Sequence, residues 1–326
     1  MDLRIRHISR FRYHTPVSES AMQTRLHPRT DAYQRCVAFE MAVTPSAMSD
    51  AYQDYLGNII HVFDIPGRHS ELTLTALARV ETAQPPPLPN SLAPDAWQAL
   101  DADVAEGDFW EALAPSTFAR PTRRLEALAR DWDLRSPDGD LRRRDDPLRM
   151  MREINAHIYG AFEYVPESTR VDSPIDHALE LRQGVCQDFT HVMIALVRGL
   201  GIPCRYVSGY LYHRGDDHDR AAEGAMHAWC EAYLPGLGWV GFDPTNDALA
   251  GERHIRVAIG RDYADVPPTR GVFKGDGDHE LCVAVQVYHA NAAPPEPSLV
   301  CVYSSTSEDG ERQFTPGPDP RQQQQQ

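Results

Sequence analysis

The first part of the chain alternates between apolar and polar positions. Leu3, Ile5, Phe11 and Tyr13 share one parity, and arginines occupy several of the positions between them. The segments 37–44 and 71–80 alternate in the same way, and a glycine-containing segment at 56–58 is suited to a hairpin turn. Strict alternation is typical of half-buried antiparallel strands. The pattern predicts a small all-β sandwich over residues 1–82.

A proline-rich stretch follows, and the period then becomes helical. Residues 83–97 predict a stiff, extended linker. Leu125, Leu128 and Trp132 indicate one helix, and the apolar positions from 148 to 162 indicate another, opened by Asp146 as N-cap with a proline after it. A short third helix is predicted from residue 173 to Gly184, where the glycine would take the left-handed conformation of a C-cap.

A mixed α+β region completes the chain. An apolar helix is expected after Gly184, and strands are predicted at 205–212, 227–234, 239–243, 281–289 and 298–304. Residues 98–305 are therefore predicted to form an α+β core, and the polar segment 306–326 a disordered tail.

Composition narrows the class of protein. A length of 326 residues favours two domains, and a net charge of −15 disfavours nucleic acid or an anionic membrane surface as a partner. We find no apolar run of signal-peptide or membrane-span length, which predicts a cytoplasmic location. The six cysteines show no CxxC spacing and are expected to be free thiols, most of them buried.

Cys186 is the first candidate for chemistry. It follows a glycine and begins a predicted helix, where unpaired backbone N–H groups and the helix dipole favour a thiolate. A thiolate is a nucleophile, and the same N–H groups can hold the oxyanion that forms when a carbonyl is attacked. A cysteine at a helix start is by itself more often a packing residue.

His227 and Asp243 supply the other two roles of a triad. They lie on two strands joined by a turn at 236–238, so an antiparallel hairpin would bring them together. A carboxylate there can orient the imidazole through one ring nitrogen and leave the other for a thiol. Ala228, Cys230 and Ala232 alternate with the larger residues and predict a face that packs closely on the Cys186 helix.

These residues resemble a known family. The segments GVCQDF (184–189), RGLGIPCRYVSGY (198–210), HAW (227–229) and DPTN (243–246) closely resemble the bacterial transglutaminase-like core. The first 80 residues resemble the β-rich domain that precedes this core in bacteria, through RH (6–7), RLHP (25–28) and DYLGN (54–58). The resemblance implies a papain-like core with Cys186 as nucleophile, His227 as general base and acid, and Asp243 as the orienting residue.

The resemblance leaves the reaction open. Such enzymes attack an amide and then pass the acyl group to water or to an amine, so hydrolysis of a peptide or isopeptide bond and true transglutamination are both predicted outcomes. We favour hydrolysis, with a peptide or protein substrate and no cofactor. The alternative from another class is a peptide-binding module that has kept the fold without catalysis.

Other site residues are weaker candidates. Tyr164 and Gln187, with Gln183 behind them, are candidate oxyanion donors. Trp229 and Trp239 are candidate walls of a substrate groove, although core packing predicts them equally well. The loop 212–226 contains His and Asp residues and could be a lid, but a solvated loop is favoured over a metal site, and no metal is predicted.

Overall fold

The computed structural model describes residues 1–136, 138–139, 142–214, 218–275, 279–294 and 296–304, with the backbone alone for 302–304. The predicted tail, 306–326, lies outside these residues. The elements of the first part are β1 Asp2–Val17, β2 Glu19–Thr24, β3 Gln34–Thr44, β4 Ser49–Gln53, β5 Ile59–Ile65, β6 His69–Thr82, α1 Ala96–Glu106, α2 Trp110–Leu113, α3 Arg123–Asp131, α4 Pro147–Ala161, β7 Glu163–Tyr164, α5 Ile175–Leu181 and β8 Gln183–Gly184. They continue as α6 Cys186–Arg198, β9 Cys204–Leu211, β10 His227–Leu234, β11 Gly238–Asp243, β12 Ala248–Leu249, β13 His254–Gly260, β14 Thr269–Lys274, β15 His279–His289 and β16 Val300–Ser304, with a 3-10 turn at Tyr263–Asp265.

The N-terminal strands form the predicted sandwich. A five-stranded sheet in the order β16-β15-β1-β6-β3 faces a four-stranded sheet in the order β14-β2-β5-β4. Phe11 and Tyr13 of the first sheet pack with Met22 and Phe63 of the second. The alternation seen in the sequence is therefore the alternation between this core and solvent, as half-buried strands require.

The same five-stranded sheet also packs against two strands of the core. The first half of β1 and the last half of β6 direct Leu3, Ile5 and Val80 onto Tyr210 and Ile255, which belong to β9 and β13. The N-terminal sheets and the core therefore share a buried apolar contact.

The strand pairing corrects the predicted membership of the last strands. Segments 281–289 and 298–304 are strands as predicted, but β15 pairs with β1 and β16 pairs with β15, so both complete the five-stranded N-terminal sheet rather than the core. The apolar pattern of a strand specifies which face is buried and carries no information about its neighbour. The division of the chain near residue 82 stays a prediction.

One expectation about the cysteines is wrong. Cys282 and Cys301 lie opposite each other on β15 and β16 and form a disulfide, whereas Cys36, Cys186, Cys204 and Cys230 are free. Of the free thiols, Cys204 and Cys230 are buried, as predicted, and contribute to the core under α6.

Helices α3, α4 and α5 lie where the periodicity placed them, whereas no helix was predicted at the positions of α1 and α2. Helix α1 buries only Ala96 and Leu100, and no side chain caps its N-terminus. Trp97 and Val104 are partly buried against the same core, so an apolar stripe with helical spacing is present in the sequence and was not recognised. By contrast, Asp146 accepts hydrogen bonds from the N–H groups of Leu148 and Arg149 at 3.0 and 3.2 Å, as the cap predicted for α4.

The core places a central helix on an antiparallel sheet. The sheet has the order β12-β11-β10-β9-β13, and α6 packs on β10 and β9. Ala228, Cys230 and Ala232 line the contact with α6, as predicted, because small side chains let the helix approach the strand closely. The fold is thus α+β, with the helix that begins at Cys186 packed on an antiparallel sheet. Within the part of the chain that the structure describes, no helix is long and apolar enough to cross a membrane.

Candidate active site

Cys186 is the first residue of α6 and is partly exposed. Val185 before it is extended, and the Asp188 carboxylate closes the first turn by accepting the Val185 N–H at 2.9 Å and the Thr169 hydroxyl at 2.6 Å. Burial raises the pKa of Asp188, although these two hydrogen bonds lower it in part. The cap predicted for Asp188 is confirmed. It leaves Cys186 beside the N–H groups of the first helical turn.

Gly184 is required for a different reason from the predicted one. The left-handed C-cap of α5 is Arg182, with φ 53°, two residues before the glycine. A Cβ on Gly184 would lie 2.9 Å from both Cβ and Oδ2 of Asp188, closer than real Cβ atoms approach a neighbour. The glycine therefore makes room for the carboxylate that fixes the start of α6.

The β10–β11 hairpin brings the predicted base and acid together. In its register Cys230 is opposite Phe242, which places Asp243 one diagonal step from His227 at the same end of the two strands. His227 Nε2 and Asp243 Oδ2 are 2.7 Å apart, and both side chains are almost fully buried. This spacing is that of a charge-assisted hydrogen bond.

The two ring nitrogens of His227 face different partners. Nδ1 is buried and has no acceptor or donor within normal hydrogen-bond geometry among the described residues. Burial lowers the pKa of His227, but the charge and hydrogen bond of Asp243, and then the interaction with Cys186, raise it to about 10. Since Nε2 is occupied by Asp243, the interaction with Cys186 belongs to Nδ1. The sequence prediction that these three residues meet agrees with this geometry.

Asp243 is held as an anion by several donors. Its Oδ1 accepts the backbone N–H groups of Thr245 at 3.0 Å and Asn246 at 3.3 Å, and its Oδ2 accepts the Asn246 amide at 2.8 Å. Burial raises the pKa of Asp243, but His227 and then His254 outweigh it, so that the pKa is well below its usual value. A buried carboxylate with this many donors stays ionised at neutral pH.

His254 is a site residue that the sequence analysis missed. It begins β13, is buried, and places Nε2 at 3.1 Å from the same oxygen, Asp243 Oδ2. The Gly251 N–H points at its Nδ1 at 3.2 Å, so Nδ1 carries the lone pair and Nε2 carries the proton. The one signal in the sequence was a polar residue at the start of an apolar strand, which does not indicate a partner.

The grouping of His227, Asp243 and His254 has the composition of a metal site. A metal ion binds histidine through a nitrogen lone pair. In this arrangement Nε2 of His254 carries a proton and donates a hydrogen bond to Asp243, so it has no lone pair to offer. Coordination through Nε2 would move that proton to Nδ1, against the Gly251 N–H. The donor set therefore fits a hydrogen-bonded group better than a metal.

Tyr164 lies next to the nucleophile. Its strand β7 pairs in parallel with β8, so Tyr164 is beside Gly184, two residues before Cys186. Burial, and next the nearby Cys186, raise the pKa of Tyr164 to about 12, which keeps the phenol protonated. Its oxygen accepts the Ala222 N–H at 3.3 Å, and its own O–H remains a donor.

The glutamines predicted as donors have other partners. The Gln187 amide donates to the Val171 carbonyl at 3.0 Å, and the Gln183 amide donates to the Glu163 carboxylate at 3.1 Å. A role for Gln187 at the oxyanion stays a prediction, but one of its N–H groups is already used.

The two tryptophans do not line a groove beside Cys186. Trp229 is 0% exposed and packs edge-on against His254 inside the core. Trp239 pairs with Tyr233 at the turn end of the hairpin, about 20 Å along β10 from His227 at ~3.3 Å a residue. Trp229 has the expected orientation for its strand, but both faces of the sheet are covered at that point, which alternation alone could not predict.

The described part of the loop 212–226 is partly exposed and is fastened to the core at Arg220 and Ala221. Their backbone N–H groups donate to the side-chain oxygen Oδ1 of Asn246 at 2.7 and 3.2 Å, and the Arg220 guanidinium donates to the Tyr159 backbone carbonyl at 2.7 Å. Residues 215–217 lie outside the described part. Since Asn246 also donates to Asp243, the loop and the triad are joined through one side chain.

Comparison with known proteins agrees with this geometry. Residues 139–244 match the transglutaminase-like superfamily, and residues 3–81 match the bacterial transglutaminase-like N-terminal region. An uncharacterized protein of Mycobacterium leprae is 32% identical over 286 residues, which is 87% of this chain and 98% of that protein. A protein-glutamine gamma-glutamyltransferase of Pseudomonas aeruginosa is 32% identical over 95 residues, 27% of this chain and 14% of that enzyme.

Among solved structures, a protein of Cytophaga hutchinsonii titled "Putative Cysteine Protease" has a TM-score of 0.68 at 20% identity, and the match covers 93% of this chain and 96% of that one. At this identity the likeness concerns the fold. The chain belongs to the transglutaminase-like superfamily, and its N-terminal sheets belong to the region that accompanies the core in bacteria.

Proposed function

We propose that this protein is a cysteine-dependent amide-bond enzyme that works through an acyl-enzyme on Cys186 and hydrolyses a peptide or isopeptide bond. The observation that carries the proposal is the orientation of His227. One ring nitrogen is bonded to Asp243 at 2.7 Å, the second nitrogen is buried with no other partner among the described residues, and Cys186 at the start of α6 is near enough to raise the pKa of His227. This arrangement supports the roles of nucleophile, base and orienting acid for the three residues.

In the first half-reaction the Cys186 thiolate attacks the amide carbonyl carbon and forms a tetrahedral oxyanion. His227, protonated on Nδ1, then gives that proton to the amine as the C–N bond breaks, and a thioester remains. In the second half-reaction water attacks the thioester and gives a proton back to His227, and the C–S bond breaks to release a carboxylic acid and the Cys186 thiolate, which restores the starting thiolate–imidazolium pair. The Asp243 charge stabilises the imidazolium in both halves.

The oxyanion needs donors at the position where the charge develops. The free N–H groups of the first turn of α6 supply one part. We assign the second to the Tyr164 hydroxyl, because the phenol is protonated, is close enough to Cys186 for the two to interact, and has its O–H available. A Tyr164→Phe protein should therefore keep the rate of Cys186 alkylation and lose about 10²-fold or more in turnover.

Acyl transfer to an amine is the second candidate. It is favoured by one observation, the match of 95 residues to a protein whose name is protein-glutamine gamma-glutamyltransferase. Hydrolysis is preferred because this chain has a single lysine, Lys274, and so offers almost no amine of its own for crosslinking. A peptide or protein substrate and a cytoplasmic location belong to the same proposal.

The test begins with the thiol itself. The rate of iodoacetamide labelling at neutral pH is measured site by site by mass spectrometry, with Cys36 as an internal control because it is a half-exposed thiol whose pKa burial raises. We expect Cys186 to react at least tenfold faster than Cys36, since the thiolate is the reacting form. Equal rates would refute the triad.

The reaction is then distinguished with substrates. Glutamine-containing peptides are incubated with a labelled primary amine, and the products are identified as cleaved peptide, deamidated peptide or amine adduct. Cleavage or deamidation without the adduct supports hydrolysis, and the adduct supports transfer. Cys36→Ala should behave as the wild type, and if Cys186→Ala keeps the activity, the proposal fails.

A further inference from the structure

The Asp243 carboxylate has one imidazole more than the proposed mechanism uses. His227 and His254 both direct Nε2 at Oδ2, at 2.7 and 3.1 Å, and come from different strands, β10 and β13. Of the two imidazoles, His227 is the one whose pKa Cys186 raises. A second histidine on the acceptor oxygen of a triad calls for a physical account.

His254 is not needed to hold the carboxylate in place. Oδ1 is fixed by the backbone N–H groups of Thr245 and Asn246, and Oδ2 also accepts the Asn246 amide at 2.8 Å. The carboxylate plane is therefore set within the turn that follows β11. What His254 adds is a further donor to the oxygen that His227 uses.

His254 is fixed as a neutral donor. The Gly251 N–H on Nδ1 at 3.2 Å keeps the proton on Nε2, and the ring packs edge-on against Trp229 with centroids 5.2 Å apart. Burial lowers the pKa of His254, and the Asp243 hydrogen bond raises it only in part. The imidazole thus remains uncharged at the pH at which the pair of Cys186 and His227 would work.

We propose that His254 is a positioning residue, which acts on His227 through Asp243 by sharing the acceptor oxygen and weakening its hold on the His227 proton. Each N–H on Oδ2 withdraws electron density from that oxygen, so a second donor leaves less for the first. The inference rests on the proposed function, in which His227 must release its proton to the leaving amine. A general acid that is bound too tightly by its carboxylate does this slowly at neutral pH.

The pH behaviour of the group depends on all charges that face it. Removing the His254 imidazole takes away its hydrogen bond to Asp243 and the acceptor of the Gly251 N–H, and it leaves the charged groups in place, so a shift in the profile reports the loss of the imidazole. The titratable and charged groups around Asp243, His227 and His254 come from α6, the loop before β10 and the turn before β13. They are Cys186, His213, Asp219 and Arg253.

The test is the pH dependence of Cys186 alkylation in a His254→Leu protein. A tighter hold of Asp243 on His227 stabilises the imidazolium, so His227 should lose its proton at a higher pH. We expect the midpoint of the alkaline limb to rise by about half a unit to one unit, from the size of hydrogen-bond effects on a shared acceptor. The acid limb should move little, because the imidazolium is present both before and after the thiol ionises.

Two controls separate this effect from a general disturbance. His254→Gln retains an amide N–H that can donate to Asp243 and an oxygen for the Gly251 N–H, so its profile should stay close to the wild type. His69→Gln changes another buried histidine with both nitrogens bonded, to Ser20 and to the Gly67 carbonyl, in the N-terminal sheets. Its profile should coincide with the wild type.

The outcomes separate the two proposals. If Cys186 of the wild type is no more reactive than Cys36, the proposed function fails and this inference falls with it. If Cys186 is reactive but the alkaline midpoint of His254→Leu is unchanged or lower, only this inference is overturned. Should His254→Leu not fold, ¹⁵N NMR of the wild-type imidazoles decides, because an Nδ1–H tautomer or an imidazolium at His254 near neutral pH contradicts the proposal.

Discussion

Replacing Asp243 with asparagine tests the orientation of His227 with the smallest change in shape. The new amide has one acceptor oxygen where the carboxylate has two. The backbone N–H groups of Thr245 and Asn246 point at the Oδ1 position, so the amide oxygen should settle there. Its NH₂ group then faces His227 and His254 in place of Oδ2.

That exchange of acceptor for donor reverses the tautomer of the His227 imidazole. A donor opposite Nε2 favours the tautomer with the proton on Nδ1, and Nδ1 is then unable to accept the proton of Cys186. The equivalent change in a serine triad lowers turnover about 10⁴-fold with the geometry intact. We expect turnover, where a substrate is found, to fall about 10³–10⁴-fold. Alkylation of Cys186 at neutral pH should fall about tenfold or more, to the rate of an ordinary thiol such as Cys36.

The same change should also destabilise the fold. Removing one charge of a buried, hydrogen-bonded pair costs about 3–5 kcal/mol, which urea unfolding followed by tryptophan fluorescence measures. Asp262→Asn is the matched control, since this buried carboxylate accepts the Phe118 and Ala264 N–H groups away from the triad. It should lose stability and keep Cys186 reactive. If Asp243→Asn is alkylated as fast as the wild type, the assigned role of Asp243 is wrong.

Two further predictions follow from the helix start and from the charge of the triad. Gly184→Ala forces the Asp188 carboxylate away from its cap, so it should lower the free energy of unfolding by about 1–3 kcal/mol and slow Cys186 alkylation. Gly160→Ala is the control and should do neither, because the space around its Cβ is open. Equal unfolding midpoints for the two variants would contradict the steric account. The pKa of His227 is raised from 6.5 to about 10, so its contribution to stability is complete below pH 6.5 and is lost as pH rises towards 10. Urea midpoints measured from pH 6 to 10 should fall in the wild type and fall less in His227→Gln, and parallel curves for the two proteins would refute this linkage.

Much of the site could be read from local sequence. The cysteine after Gly184, the hairpin turn at 236–238 and the small residues facing α6 are short-range features, and each determines its local geometry through sterics or hydrogen bonding. That is why Cys186, His227 and Asp243 could be predicted to meet. The caps at Asp146 and Asp188 were predictable for the same reason.

Tertiary structure decided the features that depend on distant partners. His254 reaches Asp243 because β13 and β11 belong to the same core sheet, and the Trp229 ring fits inside the core because glycines at 209 and 241 on the neighbouring strands leave room for it. Strands β15 and β16 join the five-stranded N-terminal sheet although their own pattern fits either domain. Alternation and periodicity record which side of an element is buried, and only the assembled fold determines what buries it.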